Sequence, residues 1–424
     1  MANMKTFVVL GLVLVISVVA NAVTDDHDDT FASMKYDRRG LGQQASSGGG
    51  AAPASGGVID ITKVGAKGDG SFDNTEVIMK AWTDACHSGS KILIPTGIFL
   101  AGLLEFKGPC TGQPVIIDLQ GTLKAKPDSA SYPQGNQIHF YLAPFQISGG
   151  GTIDGNGEAA QAQRKKSGGK NLPDSLAVDQ CPNSCITGVK FVNAKGFNIK
   201  IVESDNFKID GLSITCGGDT LNTDGIHIAR SKGSSITNCN IQTGDDCISI
   251  GDATTDLTVK NIHCGPGHGI SIGSLGRFPD EKDVRNVIVN NVTLTGTLFG
   301  VRIKSFHNSP VLQAANITFS DITCKDVWAP IVIDQNYNMG SATQTAGVSK
   351  VKINGVTYKN IKGTTTSNNA ISLNCSSGAP CEGVTLDGVS LTYSGNDTVD
   401  KELRTVCENA KATFTGTSLP PCKS

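Results

Sequence analysis

Three carboxylates, an imidazole and two cations occur in four short clusters of this 424-residue chain: Asn222-Thr223-Asp224, Gly244-Asp245-Asp246-Cys247, Gly267-His268-Gly269 and Arg302-Ile303-Lys304. Breaking a glycosidic bond needs one protonated carboxyl to give a proton to the leaving oxygen. It needs another, ionised, to activate water or attack the sugar. Crowded aspartates resist ionising together, which separates those two roles. His268 is suited to tune or relay the proton. Arg302 and Lys304 suit a sugar acid, because arginine grips a carboxylate through two hydrogen bonds. The implied substrate is a polyuronide, and no cofactor is called for.

Taken singly, each cluster has an ordinary reading. Asp-Asp is commonly a solvated turn, Gly-His-Gly a loop, Arg-x-Lys a wet strand face, and Asn-Thr-Asp turn chemistry in which Asn and Asp bond their own backbone. A metal held by Asp245, Asp246 and His268 is a rival that the pattern disfavours, so no metal is expected. What lifts the joint reading is spacing. Asp224, Asp245, His268 and Arg302 stand 21, 23 and 34 residues apart, close to the period at which the surrounding sequence repeats itself.

The repeat is a phrase of alternating apolar residues, then Asn, Asp or Gly, then a branched apolar residue. Its last apolar residues are Leu212, Ile241, Ile262, Val292, Ile322, Val356 and Val389, at steps of 29, 21, 30, 30, 34 and 33. Periods of about 20 to 50 residues with short strands indicate a solenoid, whereas a seven-bladed propeller needs about 40 residues or more per blade. The expected fold is all-β, a single-stranded parallel β-helix. Each cluster precedes or occupies a short alternating strand (Ile226-His227-Ile228, Cys247-Ile248-Ser249-Ile250, Ile270-Ser271-Ile272), so the clusters are expected at the same place on successive coils. Arg302 and Lys304 should share a face with Ile303 buried between them. One amphipathic helix is expected over Thr75–Cys86, with Val77, Ile78, Ala81, Trp82 and Ala85 as its apolar face, suited to an N-terminal cap on the open coil end.

Bulk properties agree. Aromatics are 5% and glycines number 50, which favours a turn-rich β architecture over a helical bundle. A net charge of −2 gives no footprint for nucleic acid. Residues 1–22 read as a secretory signal peptide: Lys5 leads, Phe7 to Ala20 is apolar, and Ala20-Asn21-Ala22 is a small-x-small cleavage site. The acidic residues that follow argue against a membrane anchor. Residues 23–57 are acidic, then rich in Gly, Ser and Ala, a composition that buries no core, and residues 58–424 are expected to form the β-helix catalytic domain. The 13 cysteines suit an oxidising compartment. Cys181/Cys185, Cys375/Cys381 and Cys407/Cys422 look like loop staples, and Cys247/Cys264 is placed to tie neighbouring repeats; a zinc site at Cys181-Pro-Asn-Ser-Cys185 lacks a second ligand pair. The odd count leaves a thiol over, and spacing alone fixes no connectivity. Sequons at Asn291, Asn316, Asn374 and Asn396 agree with export as a glycoprotein.

Over residues 58 to 422 the chain resembles the polygalacturonases of glycoside hydrolase family 28, through the four clusters, Gly151-Thr152-Ile153-Asp154-Gly155-Asn156-Gly157 and Gly65-Ala66-Lys67-Gly68-Asp69-Gly70. The resemblance implies a right-handed parallel β-helix and hydrolysis of polygalacturonate with inversion. Asp245 would be the proton donor, Asp224 and Asp246 would activate water, and His268 would support the acid. Asn222, Arg302, Lys304 and, in Asp334-Gln335-Asn336-Tyr337, Tyr337 would bind substrate. It also implies pairing of Cys247 with Cys264, Cys375 with Cys381 and Cys407 with Cys422. Gly273-Ser274-Leu275-Gly276-Arg277 and Asp280-Glu281-Lys282-Asp283-Val284 look most like plant pollen-type exopolygalacturonases, which remove galacturonic acid from the non-reducing end. Endo action, a calcium-assisted pectate lyase, a rhamnogalacturonan hydrolase and a non-catalytic wall-binding solenoid are the alternatives. The protein is expected to be a monomer whose partner is pectin.

Overall fold

The computed structural model describes residues 56–167, 172–337, 347–396 and 401–422. The expected signal peptide, residues 1–22, and nearly all of the 23–57 stretch lie outside the described residues. The first strand is Val58–Asp60.

Short strands with inward branched residues dictate the architecture. In Val115–Leu119 burial alternates along the strand, as one buried face requires. The paired strands run parallel and pair coil to coil, making a right-handed parallel β-helix. One sheet of 11 strands follows chain order from Leu104–Lys107 to Arg404–Glu408. Its inward ladder is unbroken: Ile201 pairs with Ile228, then Ile250, Ile272, Ile303, Ile333 and Leu373. All seven are buried. Burying such a side chain stabilises by about 1.5–3 kcal/mol, and β-branched residues suit the pleat, so the six isoleucines of this ladder both fill the bore and favour their strands.

The repeat phrase marks coils, though not one register. Ile262, Val292 and Ile322 do pair in sequence. Ile241 instead pairs with Ile214 and Cys264, and Val356 with Ile317 and Val384. The phrase slips because one long strand crosses a bend, and either of its buried residues fits the same text pattern. The polar part of the phrase is turn chemistry. Asn238, Asn261 and Asn291 hold left-handed backbone at φ 56°, 58° and 55°, which asparagine tolerates. Their amides form a ladder, Asn291 to Asn261 at 2.8 Å and Asn261 to Asn238 at 2.8 Å. The sequon residue Asn316 extends a parallel ladder through Asn286 to Asp256.

The expected helix spans Thr75–Ser88 and ends at Gly89, whose φ of 72° supplies the left-handed C-cap. Ile78, Ala81, Trp82, Ala85 and Cys86 are its buried face, with Val77 partly covered, and Trp82 stacks on Phe106 at 4.7 Å. A second helix, Glu158–Ser167, departs from the expectation of one. Its sequence carries little apolar periodicity, which is why pattern reading passes over it.

Disulfides join Cys247 to Cys264, Cys375 to Cys381 and Cys407 to Cys422 as the resemblance implied. A fourth, Cys86–Cys110, ties the helix to the first coils. The expected Cys181/Cys185 staple is a correction: both thiols are unpaired. Cys185 opens a strand paired with Gln146 and Lys208, while Cys181 points into the core, so four residues of separation do not bring the sulfurs together. Cys216, Cys239 and Cys324 are also unpaired and buried. Among the described residues no helix is long and apolar enough to cross a membrane.

Candidate active site

The 11-stranded sheet presents its outward positions on one face. Asp224, Asp246 and His268 each stand two residues before a strand, at Ile226, Ile248 and Ile270. Arg302 lies further along: it pairs with Ser271, which follows Ser249 and His227. The expectation that all four clusters share one strand position is therefore corrected. The cations lie inside the Phe299–Phe306 strand, beside the aspartates rather than stacked above them. Ile303 is buried between them as expected, but Arg302 and Lys304 are only 3% and 2% exposed, so this is no wet face.

Asp246 is the hub. Lys304 Nζ donates to its Oδ2 at 3.0 Å, Arg302 Nη2 to its Oδ1 at 3.3 Å, and Ser271 Oγ to Oδ1 at 2.7 Å. Arg302 Nε also donates to Ser271 Oγ at 3.2 Å. Asp224 Oδ2 accepts from Ser249 Oγ at 2.6 Å. Asp245 Oδ1 accepts from the Asp246 amide at 2.7 Å and meets His268 Nδ1 at 2.9 Å. Asn222 Nδ2 donates to Asp245 Oδ2 at 3.4 Å. The tight turn explains Gly-His-Gly: Gly267 has φ 135°, and a Cβ there would stand 2.5 Å from the Asp245 carbonyl oxygen. That oxygen accepts from the His268 amide at 2.8 Å, locking the imidazole beneath Asp245.

Burial pulls the His268 pKa down, but the hydrogen bond and charge of Asp245, with Asp246 behind it, outweigh burial and raise it above the ordinary histidine value. Ligand atoms of Asp245, Asp246 and His268 lie within 4.8 Å of one another, a spacing that suits a cation. Lys304 and Arg302 already bring two positive charges to Asp246, so the cluster's charge is met by the chain itself. Tyr337, buried at 6% exposure, packs edge-on against Phe306 and lies near Lys304 Nζ, 5.1 Å from the ring centre. The Arg302 guanidinium lies 4.1 Å over Phe299, whose ring lies between His268 and the half-exposed Trp328.

A shallow cleft lined by Asp224, Asp246 and Lys304 opens on this face of the sheet. Phe197, His227, Arg230, Phe278 and Glu281 also line it. Glu281 accepts the amides of Gly276, Arg277 and Phe278 at 2.5, 2.8 and 2.9 Å, which holds the 276–281 turn together. Burial raises its carboxyl to about 7, against those three amides. Arg230 pairs with Asp252 at 3.3 Å.

Sequence reading brought Asp224, Asp245, Asp246, His268, Asn222, Arg302, Lys304 and Tyr337 together, and the structure gathers them. It passed over His227, Ser249, Ser271 and Arg164. The signal for the first three was present: a polar residue between two apolar ones on consecutive strands, as in Ile-His-Ile and Ile-Ser-Ile. Arg164 comes from the unexpected helix and donates to Asn222 Oδ1.

Residues 86–416 match the profile of the glycosyl hydrolases family 28. An exopolygalacturonase of Zea mays is 42% identical over 390 residues, covering 90% of this chain and 92% of the relative. An exopolygalacturonase of Platanus acerifolia is 37% identical over 376 residues, 87% and 98% of the two chains. Among solved structures, the endo-xylogalacturonan hydrolase from Aspergillus tubingensis superposes with a TM-score of 0.73 at 23% identity, covering 87% of this chain and 99% of that one, a likeness of fold. This chain belongs to the glycosyl hydrolases family 28.

Proposed function

We propose that this protein hydrolyses α-1,4-galacturonosyl linkages of polygalacturonate, releasing galacturonic acid from the non-reducing end by an inverting, two-carboxylate mechanism. The observation that carries the chemistry is the division of labour among the aspartates. Asp245 Oδ1 is engaged by the Asp246 amide and His268, so a proton on Asp245 sits on Oδ2, where it is given to the leaving oxygen. Asp246, paired with Lys304 and Arg302, is the carboxylate that with Asp224 holds and activates water. His268 steadies Asp245 and answers the charge left on it after proton transfer. An arginine carries five donors and a lysine three, so Arg302 and Lys304 can hold Asp246 and a substrate carboxylate together, with Tyr337 packed beside them.

The exo reading is supported by the exopolygalacturonase relatives. The signal-like leader and the sequons at Asn291, Asn316, Asn374 and Asn396 support export as a glycoprotein, and polygalacturonate as the substrate supports action in the cell wall. The test is a time course of products from polygalacturonate in the presence of chelator. Galacturonic acid alone from the first samples is expected. A spread of oligomers makes the enzyme endo-acting, and unsaturated products or loss of activity in chelator overturns hydrolysis.

A further inference from the structure

Loop 216–225, which carries Asn222 and Asp224, is clamped from outside the coil by the Glu158–Ser167 helix. Gln161 Nε2 donates to the Leu221 carbonyl at 2.8 Å and its Oε1 accepts from the Leu221 amide at 2.9 Å, so one side chain brackets one residue. The same Nε2 donates to the Lys195 carbonyl at 2.6 Å, tying the helix to the coil. Arg164, 8% exposed, adds Nη1 to the Leu221 carbonyl at 3.2 Å and Nη2 to Asn222 Oδ1. Asn222 holds left-handed backbone at φ 51°, and its Nδ2 faces Asp245 Oδ2 at 3.4 Å.

A guanidinium has donors and no acceptor, so it fixes which end of a neighbouring amide faces it. With Oδ1 held by Arg164, the Asn222 NH2 must point at Asp245. Turned over, the amide would set NH2 against guanidinium and offer its oxygen to Asp245. That oxygen would draw the Asp245 proton toward Asn222 and away from the sugar. It would also favour the protonated acid, a poorer donor.

We propose that Arg164 is a positioning residue for the proton donor: it locks the Asn222 amide with its donor toward Asp245 Oδ2, so that the Asp245 proton is directed at the leaving oxygen and the anion left behind is met by an N–H. The inference rests on Asp245 being the acid, as proposed above. Charged groups near Asp245 include His268 and Asp246 in contact with it, Asp224 on the neighbouring coil, Arg302 and Lys304 behind Asp246, and Arg164 behind Asn222.

The experiment compares Arg164→Met, Arg164→Lys, Asn222→Leu and the double variant Arg164→Met with Asn222→Leu, reading kcat, KM and the pH profile of kcat/KM on polygalacturonate, with melting temperature as the check on folding. Arg164→Met is expected to lower kcat about 10- to 100-fold with KM changed by less than about threefold. Its alkaline limb should move to higher pH by about half a unit or more, because the acid holds its proton longer. Arg164→Lys, which keeps a cationic donor, should restore part of kcat. Once Asn222 is gone, removing Arg164 should cost no further activity, since residues that act through one another are not additive. An Arg164→Met enzyme with unchanged kcat and pH profile overturns the proposal, as does full additivity in the double variant. If Arg164→Met fails to fold, partial kcat with a shifted limb in Arg164→Lys supports the proposal and an unshifted limb refutes it. Asp245→Asn separates the two ideas: if it stays active, the assignment of the acid fails, whereas loss of activity there with no effect at Arg164 refutes the positioning role alone.

Discussion

Lys304→Met removes one of the two buried cations on Asp246 while keeping a side chain of similar length. The ion pair is 3.0 Å long, with side chains 3% and 1% exposed, so water screens it little. At an effective dielectric of about 20, unit charges at that distance attract by roughly 5.5 kcal/mol. Against this stands the desolvation of the ammonium, several kcal/mol, which the methionine avoids. Arg302 remains at 3.3 Å and keeps part of the compensation. Removing one partner of a buried pair commonly costs about 3–5 kcal/mol, and with Arg302 still present the expected loss is near the lower end, about 3 kcal/mol. A coil-by-coil fold need not unfold in one step, so the assay is a double-mutant cycle of Lys304→Met and Asp246→Asn, read as the shift of the same denaturation transition in all four proteins. A coupling of about 2 kcal/mol or more is expected, together with a kcat about 100-fold or more below wild type in each single variant. A coupling below about 0.5 kcal/mol, the size of a solvated surface pair, refutes the reasoning that the chain meets the Asp246 charge by burial beside its own cations.

Further outcomes follow from other parts of the site. Glu281 is raised to about 7 from 4.5, so its protonated form is the one the fold favours: that stability is complete below pH 4.5 and is lost as pH rises through 7, at most about 3 kcal/mol. Melting temperature should therefore fall between pH 5 and pH 8 more in wild type than in Glu281→Gln, and equal slopes would contradict this. Replacing both Cys247 and Cys264 by alanine opens a cross-link across a sequence separation of 17 beside Asp245 and Asp246, and chemical denaturation should show a loss of about 3 kcal/mol. Arg302→Lys keeps the charge but loses the planar fork and the stack on Phe299. Its KM for polygalacturonate should rise about tenfold, and an unchanged KM would remove Arg302 from carboxylate recognition.

The sequence carried most of the fold because the bore of a β-helix is written as alternation: Ile226, Ile228, Ile248, Ile250, Ile270 and Ile272 each fall where a strand points inward. It carried the aspartates and the histidine because each precedes such a strand. The exact stacking of coils was less legible, since a long strand offers several buried residues and Ile241 and Leu212 look alike in text though Ile241 pairs with Ile214. Arg302 was found as a residue and misplaced in register for the same reason. Arg164 and Gln161 stayed hidden because a polar helix lying over the coil buries few apolar residues, so no periodicity announces it. The Cys86–Cys110 bridge joins a helix to a coil 24 residues on, a contact set by packing rather than by a local motif.

Asp245→Asn tests the central claim most directly. The amide keeps the shape and the contact with His268 but gives up no proton to the leaving oxygen. Measured side by side, hydrolysis of polygalacturonate should fall by about 100- to 10,000-fold while binding of oligogalacturonate to the variant stays within about threefold of wild type. Hydrolysis at an undiminished rate would contradict the account.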